Sequence, residues 1–73
     1  MQKFNNVSIL PNSVGDKEEF FRIYSSLPLE EREKVIVIID DEPISWNLAY
    51  QEIKHNTNRA RNILKVLKEL EII

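Results

Sequence analysis

Between Asn58 and Leu70 the apolar residues recur at helical spacing, and that stripe limits the folds open to this chain. Ala60, Ile63, Leu64, Leu67 and Leu70 fall on one side of a helix. Arg61, Lys65 and Lys68 fall at i, i+4 and i+7 on the opposite side, beside Asn58 and Asn62. Such a helix has to bury its apolar side. In 73 residues with no cysteine, disulfides and thiolate metal sites are excluded, so the core must come from packing other elements of one small domain.

Other segments supply candidate partners. Asp16-Lys17-Glu18-Glu19 reads as a capping box that opens a helix, and Phe20, Ile23, Tyr24 and Leu27 follow as one apolar face. Pro28 ends that helix or begins the next, and Glu30, Glu31 and Glu33 suit a helix N-terminus. Lys34–Ile39 (KVIVII) is open to two readings. Its β-branched density fits a strand, which would pair with Val7–Leu10; the acidic lead-in and the lack of a break after Pro28 favour a continuing helix, the preferred reading. Asp40-Asp41-Glu42-Pro43 ends the element either way, since the residue before proline is pushed out of the α region. Ser45 is placed to cap a helix carrying Trp46, Ala49, Tyr50 and Ile53, with Ile44 and Ala49 as a hydrophobic staple. His55–Asn58 is a turn. The expectation is an all-α fold of three to four short helices over residues 16–73, ending in a helix-turn-helix-like pair, with residues 1–15 as a loose N-terminal arm.

Charge is divided along the chain. Residues 1–42 carry five Lys/Arg against nine Asp/Glu, and residues 43–73 carry five against three, within a total of −2. From Ile53 to Lys68 there is no carboxylate, but Lys54, Arg59, Arg61, Lys65 and Lys68 are all basic. No apolar run approaches the roughly 20 residues of a membrane span, and Met1–Gly15 lacks the apolar centre of a signal peptide. A soluble, cytoplasmic protein with no membrane contact is expected.

Chemistry is sparse. His55 is the lone histidine, in a polar turn, and one His without Cys makes no zinc site. There is no glycine-rich phosphate loop and no local pattern for a nucleophilic triad. Val37–Pro43 resembles the strand and acidic pair of a response-regulator receiver domain. That family also needs a later phospho-accepting Asp, and none follows Asp41. No catalytic residue, metal ligand or cofactor is expected, and the chain reads as a non-enzyme.

Ile44–Ile73 resembles the core of winged-helix and helix-turn-helix DNA-binding domains, most closely in its ending, Leu64-Lys65-Val66-Leu67-Lys68-Glu69-Leu70-Glu71-Ile72-Ile73. The resemblance makes Trp46–His55 the supporting helix and Asn56–Asn58 the turn. It puts Arg59, Arg61, Asn62 and Lys65 on the outward side of a recognition helix. The chain departs from the family in lacking the turn glycine, in carrying Glu71 where glycine leads into the wing, and in having no wing sequence after Ile73. Two functions stay open. One is a non-catalytic adaptor or accessory subunit that works by protein–protein contact with a larger partner, within a DNA- or RNA-processing complex. The other is a small DNA-binding regulator. The surface residues proposed for either partner are Arg59, Arg61, Asn62, Lys65 and Lys68. Phe21, off its helix's main stripe, and the terminal Ile72 and Ile73 are candidate hydrophobic anchors. Oligomeric state is not legible.

Overall fold

In the computed structural model the described residues are 12–73, with side chains from Gly15 onward. The chain runs as α1 (Asn12–Ser26), α2 (Leu29–Arg32), β1 (Val35–Ile39), β2 (Glu42–Ser45), α3 (Trp46–Lys54) and α4 (Asn58–Glu69). The helices dominate, but the all-α expectation is corrected: Val35–Ile39 is a strand, paired antiparallel with Glu42–Ser45. Its pairing with Val7–Leu10 lies outside the described residues.

The reason is local. Five consecutive β-branched residues fit a pleated surface better than the crowded turns of a helix. Asp40 and Asp41 then both take positive φ, 53° and 66°, between the paired Ile39 and Glu42. That is a two-residue type I′ turn, whose twist matches the twist of the strands it joins. Reversal there brings Ile39 and Ile44, both buried, onto the core side. The register slips between Val35 and Val37, leaving an extra residue on β1 that bends the strand.

Helix α1 begins at Asn12, one turn ahead of the Asp16 start expected from the capping box. Asp16 is therefore inside the helix, and its carboxylate meets Lys68 instead of capping. Glu19 pairs with Arg22 on the same helix. Pro28 is the N-cap of the single-turn α2. Arg32 reaches back from α2 to the carbonyls of Tyr24 and Ser25, at 3.2 and 3.3 Å, and so satisfies acceptors at the end of α1.

The second half follows its local signals closely. The Ser45 hydroxyl accepts from the Leu48 amide at 3.0 Å, so the last residue of β2 is also the cap of α3. Ile44 and Ala49, the staple pair, are fully buried. Helix α3 ends in a Schellman motif: the Thr57 amide donates to the Glu52 carbonyl and the Asn56 amide to the Ile53 carbonyl. Asn56 holds the left-handed position at φ 54° in place of the missing glycine. Thr57 caps α4 by accepting from the Ala60 amide at 3.1 Å. The same motif closes α4, with Ile72 donating to Leu67, Glu71 donating to Lys68, and Glu71 left-handed at φ 61°. Glu71 thus does the conformational work of a C-terminal glycine at the end of α4.

Helices α3 and α4 pack together, α1 contacts both, and β1 lies against α4. The core joins Phe20, Ile39, Ile44, Trp46, Ala49, Ile53, Ala60, Ile63 and Leu67. Every element but α2 contributes to it, so no part of the domain buries its apolar side alone.

Candidate functional site

The apolar stripe of α4 is divided as its period requires: Ala60, Ile63 and Leu67 are buried, Leu64 is half-buried, and Leu70 beyond the last turn is exposed. This fixes the opposite side outward, where Arg61, Asn62, Lys65 and Lys68 are exposed. Arg59, one residue before the buried Ala60, is turned toward the hairpin.

The carboxylate-free interval of the sequence is not free of carboxylates in space. Glu42, at the start of β2, meets Arg59 at 2.8 Å. The hydrogen bond from this pair holds the Arg59 pKa above its ordinary value, helped by the charges of Glu42, Glu52 and Asp40, so the guanidinium is a cation bound at home. Asp16 meets Lys68 at 2.9 Å, at the other end of α4. Lys54 sits 5.6 Å above the Tyr50 ring, one helical turn away on α3. Of the five bases, Lys54, Arg61 and Lys65 have no ion pair among the described residues, and of these only Arg61 and Lys65 lie on α4.

Arg61 and Lys65 flank a shallow open cleft of about 340 Å³, shared with Asp16, Leu64, Lys68 and Glu69. Its floor is the half-buried side of Leu64. The arrangement is a short positive strip beside the apolar Leu64, in a cleft that the carboxylates Asp16 and Glu69 also line. It binds by charge and contact. The described residues hold no cluster of three His, Asp or Glu placed to hold a metal ion. His55 is the exposed C-cap of α3.

The three anchor candidates take different places. Phe21 is half-buried, with its ring edge-on to Phe20 at 5.9 Å and to Tyr50 at 5.6 Å. Ile72 and Ile73 are half-buried against the core, and the Ile72 amide donates a hydrogen bond to the Leu67 carbonyl. All three are therefore margins of the core, with part of each surface open.

A second concave feature was missed by the sequence reading. Tyr24 and Tyr50 stack at 4.3 Å and 11°, with Arg32 4.4 Å above the Tyr24 ring. The Tyr24 hydroxyl donates to Asn47 at 2.6 Å. Tyr24, Arg32 and Tyr50, with Phe21, Ser25 and Lys54, line an open groove of about 600 Å³. The Tyr50–Lys54 contact was legible as an i,i+4 pair. Tyr24 over Tyr50, and Arg32 over Tyr24, depend on how α1, α2 and α3 meet, and no spacing in the sequence encodes that. The counter-charges Glu42 and Asp16 were missed for the same reason.

No helix among the described residues is long and apolar enough to cross a membrane. No family model, no curated protein and no solved structure matches this chain.

Proposed function

We propose that this chain is a non-catalytic docking module, an adaptor or small accessory subunit that binds a larger protein through the outward side of α4. The observation that carries this reading is the internal pairing of the basic stripe. Glu42 and Asp16 occupy Arg59 and Lys68, leaving Arg61 and Lys65 about an apolar floor at Leu64. A DNA-binding surface depends on the number of phosphates it neutralises. Two cations give a salt slope of about −1.8, hence only about a tenfold loss of affinity from 50 to 200 mM salt, against the roughly 10³–10⁵ of a protein with six to ten phosphate contacts. A strip that short suits one acidic side chain beside an apolar one, which is the chemistry of a protein partner. Placement in a DNA- or RNA-processing complex belongs to the same reading and rests on the helix-turn-helix resemblance of Ile44–Ile73.

Mobility shift on mixed duplex DNA at low salt, with affinity purification from the native cell in parallel, tests the proposal. The expected result is no shift at high micromolar protein and a stoichiometric protein partner that is lost from an Arg61→Glu/Lys65→Glu variant of native helical content. A shift that weakens steeply with salt and disappears in the same variant would instead make the chain a DNA-binding regulator.

A further inference from the structure

The hairpin has two outer edges, and they are not alike. On β2, Pro43 is exposed and has no amide hydrogen, so that edge cannot accept a regular neighbouring strand. The edge of β1 carries no proline and no charge from Val35 to Ile39. It also shows water large apolar side chains: Val35 is 55% exposed and Ile38 67%. Soluble proteins blunt their strand edges with proline, charge or cover. Here the β2 edge is blunted by proline, while the β1 edge carries only the bulge at Ile36, which bends its start and leaves Val37–Ile39 in regular register among the described residues.

The register defines what β1 offers. Ile39 and Glu42 close the two-residue turn as a hydrogen-bonded pair, so at the next pair, Ile38 and Pro43, the backbone groups face outward. Proline at the outward position of β2 agrees with that alternation. The outward amide and carbonyl of Ile38 are thus a donor and acceptor set for an incoming strand.

We propose that the partner of this edge is a second copy of the chain, added antiparallel through β1 to make a four-stranded sheet across a two-fold axis at Val37. Charge selects this occupant and this register. With Val37 opposite its own copy, Ile38 faces Ile36 of the second chain, and Lys34, just before β1, faces Asp40, just after it. The two-fold axis makes the Lys34–Asp40 pairing twice. The apolar strand VIVII meets itself between these charges. Lys34 holds Glu31 at 2.9 Å on an exposed surface, a screened contact that exchanges readily for another carboxylate. Pro43 on both outer edges of the resulting sheet stops further addition, so association closes at the dimer and does not run on into a fibre. The inference is independent of the α4 docking surface, which lies on a different element.

A five-residue edge is a small interface, and contacts under about 1,200 Å² are weak and transient, so the dimer belongs to high protein concentration. Sedimentation equilibrium of the full chain, carried from micromolar to about millimolar protein, is expected to show the apparent mass rising from 8.6 kDa toward twice that value. In a mixed isotope-labelled sample, NMR should give an intermolecular contact between the Val37 α-protons of the two copies. Ile38→Lys should keep native circular dichroism and remain a monomer throughout. Asp40→Asn keeps a residue suited to positive φ and removes only the charge pair, so it should weaken association several-fold. A monomer at every concentration, a dimer that survives Ile38→Lys, or a dimer without the Val37 contact would each overturn the proposal.

Discussion

The hairpin and the α3–α4 pair solve the same problem in opposite ways. The helix pair places its apolar side inward, with Ile53, Ile63 and Leu67 almost wholly buried, and shows water its charges. The hairpin buries Ile39 and Ile44 but leaves Val35 and Ile38 in solvent. The helix pair is well capped: Ser45 and Thr57 begin its helices, and Schellman motifs with Asn56 and Glu71 at positive φ end them. The hairpin carries three departures from local preference: a bulge, a turn with two aspartates at positive φ, and a proline in a strand. Departures of this kind persist where another requirement outweighs local fit. The α3–α4 pair supplies most of the buried core, and the hairpin keeps Val35 and Ile38 exposed.

The widest separation between the two regions should appear in side-chain truncation. Ile63→Ala is expected to cost about 2–5 kcal/mol by leaving a cavity in α4's packed side. That is a large share of the roughly 4–11 kcal/mol available to a domain this small. Ile38→Ala should change monomer stability by less than about 0.5 kcal/mol. Urea unfolding at low protein concentration measures both, and equal costs would break the comparison.

Capping gives the next effect. Ser45→Ala and Thr57→Ala should each cost about 1 kcal/mol, since each removes the acceptor for one early amide of α3 or α4. Because Ser45 also ends β2, its loss should loosen the hairpin as well, seen as faster amide exchange at Ile39 and Ile44. Thr57→Ala should leave those amides unchanged.

Two substitutions should stabilise. Asp41→Gly and Glu71→Gly each replace an L-residue held in the left-handed region, and each should raise stability by about 1 kcal/mol. The first acts on the hairpin and the second on α4, so their thermal shifts compare the stored strain of the two regions directly. Gly15, exposed within α1 with nothing within 4 Å of an added Cβ, offers a third case. Gly15→Ala should gain about 0.4–1 kcal/mol, chiefly by narrowing the unfolded ensemble.

The smallest effect is expected at the join of the two regions. Glu42→Gln removes the ion pair to Arg59, an exposed contact screened by salt, and should leave the melting temperature unchanged at physiological ionic strength. A raised arginine pKa contributes at every pH below its ordinary value and is lost only as pH rises through the higher folded value. The Arg59 side of this contact is therefore flat across neutral and mildly acidic pH. Glu42→Gln should instead free Arg59, so a gain in DNA affinity at low salt in this variant would show that the internal pair restrains the basic stripe.

Much of the helix pair was legible from the sequence. The spacing of Ala60, Ile63, Leu64 and Leu67 fixed which side of α4 turns inward, because a helix that buries one stripe has no second solution. Ser45 capped as read, since a cap depends only on the next three residues. Glu71 was noted where glycine was absent, but the left-handed backbone at Asn56 and Glu71 was not foreseen, as neither residue type demands it. The strand Val35–Ile39 was read as helix because apolar residues without alternation fit either period, and the Asp-Asp turn lacks the Asn-Gly or Asp-Gly signature. The α1 start at Asn12 displaced a capping box that looked sound at Asp16, since a motif of that kind is only an option until the preceding turn is known.

Sequence alone therefore determined a small, cysteine-free, mainly helical chain whose α4 displays Arg61, Asn62 and Lys65 to solvent. Those properties follow from residue type and periodicity, which act over one or two turns. Tertiary structure decided which of the bases have no ion pair among the described residues, that Tyr24 stacks on Tyr50, and that Pro43 blocks the β2 edge while no described strand pairs with the outer edge of β1. The first two depend on residues far apart in the chain meeting across packed elements, such as Asp16 with Lys68 and Glu42 with Arg59, and the third on the register of the hairpin, which sets Pro43 beside Ile38. Charge counted along a sequence ignores such meetings, and the field at a surface is set by neighbours in space.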